Sequence, residues 1–296
     1  MPTTSKVFRV SPTRGPGGWS GVGGVGQTDH ALFFSEGSHV DVISSLLSAL
    51  SGGEVEILDL TAPLSPATPV LRLPEPFANT IPLSLEKVSD FDEAGPFWSW
   101  NNIHTGEHTG THLDAPVHWA TGKDGLSVDR IPPSRLVGPV VVIDFTAETA
   151  ADPDFLLGPE HLDAWVAEHG PLPEGSWLLF RTGWGARSGD AAAFANADEN
   201  GPHTPGVSVA GAEWLAASPI SGFGVETVGI DAGQAGGMEP PFPVHYHLLG
   251  AGKYGLTQLQ GLDRLPGTGA MLVVSPLPIV GGTGSPARVY ALVPRA

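Results

Sequence analysis

Residues 106–119 read Gly106-Glu107-His108-Thr109-Gly110-Thr111-His112-Leu113-Asp114-Ala115-Pro116-Val117-His118-Trp119. Three of the chain's eleven histidines and one aspartate fall inside this one stretch. A helix would put His108 and His112 on one face, but it would turn Asp114 away, and Thr109-Gly110-Thr111 is a weak helix former. An extended chain does better, because 108, 112, 114 and 118 share parity and so one face. Full extension separates 108 from 112 by roughly 13 Å, which two imidazoles bridge to one ion only at full stretch. Gly110 is the natural point for the chain to bend. The spacing therefore predicts a bent strand or loop on which His108, His112 and Asp114 converge as metal ligands.

Two neutral imidazoles and one carboxylate leave positions open on a divalent ion, an arrangement suited to binding water and lowering its pKa. His118, four residues beyond Asp114, is either a general acid or base or a fourth ligand that would close a structural site. The bland alternative is unrelated surface or core histidines. Glu107 and His104 are either partners behind the ligands or ordinary solvated residues.

The 296-residue chain has no cysteine, which excludes a disulfide framework, a Cys-ligated zinc and a thiol nucleophile. A net charge of -17 with only 14 Lys and Arg argues against a nucleic-acid partner and fits a soluble cytoplasmic protein. No apolar run approaches the roughly 20 residues that span a bilayer, and the first 30 residues lack the apolar core of a secretory signal. The Gly-rich Gly21–Gly26 is not followed by a phosphate-loop Lys-Ser/Thr, so a nucleotide site is disfavoured.

Along the chain, residues 1–27 read as a loose arm and 39–50 as a helix with Ser38 as N-cap and Gly52-Gly53 as its stop. Residues 54–60 read as a strand and 71–96 as a proline-rich, pocket-building loop. Phe97, Trp98 and Trp100 precede the histidine stretch, as core filler or as an aromatic wall for a planar substrate. Strands are expected at 137–145, 176–181, 223–230, 270–274 and 287–293. Helices are expected at 159–168, 188–197 and 208–217, with a helical turn at 245–250. The alternation gives an α/β class, and the domain is placed at 54–296 behind an extension, 1–53.

His108-Thr-Gly-Thr-His112-Leu-Asp114-Ala-Pro-Val-His118 resembles the signature of the cyclase-like metal-dependent hydrolases, which include bacterial kynurenine formamidases, isatin hydrolases and trans-dienelactone hydrolases. Weaker similarity lies at Leu58-Asp59-Leu60-Thr61, Arg181-Thr182-Gly183-Trp184, Gly229-Ile230-Asp231 and His245–Gly252. The resemblance implies a swivelling β/β/α fold, a mixed central sheet with flanking helices, assembled as a homodimer or homotetramer. It implies that His108, His112 and Asp114 bind metal and that His118 moves a proton. His245 matches a later site histidine, and His245 or His247 would return a proton to the leaving group. Where the two-zinc formamidases carry a glutamate, this chain has Thr257, a poor replacement for a bridging carboxylate. Gln258 or Gln260 would instead offer an amide oxygen to one divalent ion, Mn2+ or Zn2+. The implied substrates are small cyclic amides, lactones or an aryl formamide, with Phe97, Trp98 and Trp100 favouring a flat ring. The competing readings are a kynurenine formamidase that keeps two metals and a non-catalytic metal-binding protein.

Overall fold

The computed structural model describes residues 41–73 and 75–295; the expected arm over 1–27 and the Ser38 cap lie outside them. Ten strands organise the chain: β1 Val55–Asp59, β2 Ser84–Asp90, β3 Ser99–His104, β4 His112–Asp114, β5 Val137–Asp144, β6 Trp177–Arg181, β7 Gly222–Val225, β8 Tyr254–Thr257, β9 Thr268–Pro276 and β10 Gly284–Pro294. The helices are α1 Val42–Gly52, α2 Thr146–Ala151, α3 Pro159–His169, α4 Ala191–Ala195 and α5 Val209–Ala217. The main sheet runs β1-β10-β9-β5-β6-β7-β8-β4, and β4 pairs back onto β10. Seven of these strands thus close into a barrel-like ring, with β1 added to the free part of the β10 edge. Neighbours from β5 to β8 are parallel and the rest antiparallel. The fold is mixed α/β with few helices, in agreement with the expected class.

Alternation along the parallel strands explains both cores. Val140, Val142, Trp177 and Leu179 point into the ring with Leu113, Leu256, Leu272 and Val289. Val141, Ile143, Leu178 and Phe180 point outward against Leu162 of α3, Leu215 of α5 and Leu248. A strand buried on both faces carries an unbroken apolar run, which is why Val-Val-Val-Ile and Trp-Leu-Leu-Phe are legible as core strands. Helix ends follow local chemistry. Ser208 Oγ accepts the Gly211 N–H at 3.1 Å, and Asp190 Oδ1 accepts from Ala192 and Ala193, which starts α4 later than expected.

Two expectations are corrected, and one strand was not anticipated. Residues 84–104 form a two-stranded hairpin, β2–β3, not a loop continuing to 96. Its burial pattern is almost uniformly exposed, so no amphipathic alternation marks it. The strand expected at 223–230 stops at Val225, because the Glu226 carboxylate turns back to accept the N–H groups of Thr182 and Gly183 (2.6 and 2.7 Å). β8, short and rich in residues that also suit a loop, has no counterpart in the sequence reading. No helix among the described residues is long and apolar enough to cross a membrane.

Candidate metal centre

The histidine stretch closes the ring. β4 pairs with β8 through His112↔Thr257 and Asp114↔Gly255, and with β10 through Asp114↔Gly284. Leu113 points into the core with no exposure, so His112 and Asp114 emerge together on the other face. Gly110 makes the bend, at φ +63°, where a Cβ would also lie 2.3 Å from Leu64. His108 is thereby folded back: its Nδ1 lies 2.7 Å from Asp114 Oδ1, and His112 Nε2 lies 3.3 Å from the same oxygen. Glycines on both flanking strands make the room. A Cβ at 255 would stand 2.9 Å from Asp114 Oδ2, and one at 284 would stand 2.5 Å from His108 Cε1.

His118, in the 3-10 turn Pro116–His118, stacks on His108 with ring centroids 3.9 Å apart. His108, Asp114 and His118 each offer a ligand atom within 4.8 Å of the others. His245 opens a single π-helical turn, His245–Leu249, and lies 5.4 Å from the His118 ring, with Nε2 4.0 Å from Asp114 Oδ2. The structure therefore gathers His108, His112, Asp114, His118 and His245 from opposite ends of the barrel segment.

Hydrogen bonds fix what each ring can offer. His112 Nδ1 faces the Gly110 carbonyl at 2.7 Å, and a carbonyl only accepts, so Nε2 presents its lone pair towards Asp114. The Thr283 hydroxyl donates to Glu107 Oε2 at 2.5 Å and so must accept from His108 Nε2 at 2.9 Å. His108 Nδ1 and Asp114 Oδ1, 2.7 Å apart, then need a proton or a cation between them. That is the local requirement a divalent metal fulfils, and the His/His/Asp donor set with its glycine-cleared surroundings fits one.

The electrostatics separate the histidines. Burial opposes ionisation of Asp114; with protons on the His112 and His108 nitrogens that face it, their charge and hydrogen bonds outweigh burial and hold its pKa well below the ordinary 3.8. Burial, helped by the neighbouring imidazoles of His108, His245 and His112, overcomes the Asp114 charge and pushes His118 down to about 3. Burial also disfavours a charged His245, yet the hydrogen bond and charge of Asp231 (Oδ2 2.5 Å from Nδ1), with Asp114 behind, raise its pKa above 6.5.

The remaining candidates make contacts with other residues. Gln258 is buried, its main-chain carbonyl accepting from Thr111 (2.7 Å) and its amide nitrogen donating to the Pro69 carbonyl (3.2 Å). Gln260 Oε1 takes the Ser188 hydroxyl. His247 is turned to the helix side, Nε2 4.0 Å from Glu213 of α5, and His104 pairs with Glu86 on the exposed hairpin. Phe97, Trp98 and Trp100 sit on the hairpin with their rings against one another and largely exposed, Phe97 at 83%. The aromatic rings beside the histidines are instead Trp119, 4.7 Å from His245, and Phe242, 5.7 Å from Trp119. Sequence reasoning missed Trp119, Asp231 and Thr283. Trp119 adjoins His118 and was the one within reach; the other two are brought in only by the fold.

A family model described as "Putative cyclase" matches residues 58–232. The chain belongs to the cyclase family. Among curated members it is 51% identical over 257 residues to the isatin hydrolase of Roseibium aggregatum, covering 86% of this chain and 98% of that one. It is 29% identical over 238 residues to the kynurenine formamidase of Salinibacter ruber, covering 78% and 95%. Among solved structures, an isatin hydrolase bound to the product analogue thioisatinate superposes with a TM-score of 0.83 at 51% identity over 86% of this chain and 98% of that one. Isatin hydrolase A from Ralstonia solanacearum gives 0.82 at 48% over 85% and 97%. The cyclase family member described here is a hydrolase, and His108, His112, Asp114 and His118 lie in the segment that the family model covers, with His245 beyond it.

Proposed function

We propose that this chain uses a divalent ion held by His108, His112 and Asp114 to open the lactam ring of an isatin-like substrate by hydrolysis. The reading is carried by one arrangement: beside a convergent donor set, His118, its pKa lowered by burial, and His245, its pKa raised by Asp231, face each other across 5.4 Å. Two titratable groups driven apart by their surroundings are the mark of an acid–base pair. The resemblance to isatin hydrolases in sequence and structure supports the substrate class.

When bound, the ion supplies Lewis acidity at a carbonyl oxygen and lowers the pKa of water. His118 keeps its lone pair at neutral pH and accepts the proton of the attacking water. A new C–O bond forms at the lactam carbonyl, the C–N bond breaks, and His245 Nε2 returns a proton to the departing nitrogen. Asp231 holds His245 by Nδ1, leaving Nε2 as the donor. Trp119 and Phe242 flank His245 and suit a flat aromatic ring. With its nitrogen bonded to Pro69, Gln258 has its amide oxygen left as a further donor, and this set suits a single Mn2+ or Zn2+ ion. Thr257 in place of a bridging carboxylate favours this over the two-metal formamidase reading.

The same reading assigns the barrel to the swivelling β/β/α class and the chain to the cytoplasm as a homodimer or homotetramer. The hairpin β2–β3 supports assembly, since Leu85 (57% exposed), Trp100 (58%) and Ile103 (68%) leave apolar surface uncovered on it.

The test is turnover of isatin, N-formylkynurenine and a dienelactone by the metal-loaded protein. Isatin is expected to be opened fastest; preferential formamide hydrolysis would replace the reading. Removing the ion with a chelator is expected to abolish turnover while circular dichroism stays native, because the site segment is held by the ring of strands. Unfolding on chelation would mark a structural metal instead.

A further inference from the structure

Asp231 lies on an irregular segment with neither helix nor strand from 226 to 234. Its carboxylate nevertheless has to meet three donors at once: Val244 N–H at 2.7 Å, His245 N–H at 3.2 Å and His245 Nδ1. Something outside the segment must hold it. The adjoining residues 232–234 lie backbone to backbone on residues 202–206. Gly233 N–H donates to the Thr204 carbonyl (3.0 Å), and Gln234 Nε2 donates to the Pro202 carbonyl (2.9 Å). The contact is too close for side chains. A Cβ at Gly233 would lie 2.2 Å from Pro202 O, and one at Gly206 would lie 2.3 Å from Ala232 N. Loops in such contact shift together or not at all.

Residues 202–206 are themselves fixed by His203. Its ring bridges two carboxylates from separate segments, Nδ1 to Asp154 Oδ2 at 2.6 Å and Nε2 to Asp198 Oδ1 at 3.2 Å. Carboxylates only accept, so both ring nitrogens carry hydrogen and the bridge is an imidazolium between two anions. The His203 main chain adds a reciprocal pair with Asn196, N–H to Asn196 O at 3.0 Å and Asn196 Nδ2 to His203 O at 2.7 Å. Below it, Gly206 and Val207 pair with Leu156 and Leu157, which locks the other end.

We infer that His203 is a positioning residue for His245, acting through the 202–206 and 232–234 contact to keep Asp231 against the His245 ring. The inference rests on the reading of His245 as proton donor in the proposed reaction. The clamp stands on the helix side of the sheet and touches no residue of the histidine cluster directly. The start of the loop is anchored by Glu226, by the Gln258 N–H on the Thr227 carbonyl (2.9 Å) and by buried Ile230; the clamp fixes the stretch just beyond Asp231.

The experiment uses the zinc-loaded full chain with isotopically labelled histidine. It reads kcat and KM for isatin, bound metal, and the downfield proton resonance of His245 Nδ1. His203→Ala and the milder Asp154→Asn are expected to keep the metal and KM, lower kcat about tenfold, and shift or broaden the Nδ1 resonance. His203→Arg, which offers a cation with donors for both carboxylates, is expected to recover most of the loss. Arg288→Ala, which removes an ion pair with Asp59 between β10 and β1, serves as the control and is expected to change none of these. Unchanged kcat and unchanged resonance in folded His203→Ala would overturn the inference. Should the unsubstituted chain fail to open isatin while its Nδ1 resonance still responds to His203→Ala, the substrate reading fails and the positioning role stands.

Discussion

Thr257 and His112 are cross-strand partners on β8 and β4, with the threonine hydroxyl 2.9 Å from the imidazole Nδ1. The contact sets a hydroxyl beside the ring of one candidate ligand. Thr257→Val keeps the shape and removes the hydroxyl, at a cost of about 1 kcal/mol. The His112 ring then loses one of the groups that orient it, and metal affinity is expected to fall about tenfold. Competition with a chromophoric chelator measures this; an unchanged affinity would mean that the Gly110 carbonyl alone sets the ring.

His118 is stacked on one donor and held neutral by burial. His118→Ala is expected to retain a full complement of metal and to lower kcat by roughly 10²–10⁴-fold, the range for loss of a general base. Elemental analysis beside steady-state turnover separates the two roles. Loss of the ion together with the activity would place His118 among the ligands, as its closeness to His108 and Asp114 permits.

Asp231 raises the pKa of His245. If His245 acts in its protonated form, the rate falls as pH rises through that pKa. Asp231→Asn removes the supporting charge, so the His245 pKa drops and the alkaline limb of kcat is expected to move to lower pH. A limb that stays in place after this substitution would take His245 out of the acid role.

The His203 clamp carries its own pH signature. Asp154 and Asp198 raise its pKa above the 6.5 of a free imidazole. A group with a raised folded-state pKa stabilises fully below the unfolded value, and that stabilisation is lost as pH rises through the folded one. The difference in melting temperature between the unsubstituted chain and His203→Ala is therefore expected to be largest near pH 5.5 and to shrink towards pH 9. A difference that grows with pH would show that the ring is held neutral.

Much of the molecule is legible in the chain itself. The apolar runs at 137–144 and 177–181 read as core strands because both of their faces are buried. Ser208 and Gly170 read as helix ends because capping is local chemistry. The exposed hairpin 84–104 and the four-residue β8 are not legible in this way: an exposed strand needs no alternation, and a short one is defined by its neighbours.

The sequence by itself determined that His108, His112 and Asp114 converge at a bend, because they lie within one turn-bearing segment whose spacing admits few geometries. It also determined that any metal here is held without thiolate. Only the tertiary structure decided which aromatic rings stand beside the histidines, that Thr283 and Glu107 orient His108, and that Asp231 raises the pKa of His245 while burial lowers that of His118. Those relationships join residues more than 100 positions apart or loops with no periodicity. They arise from ring closure of β4 onto β10 and from the burial it brings, neither of which any local pattern encodes.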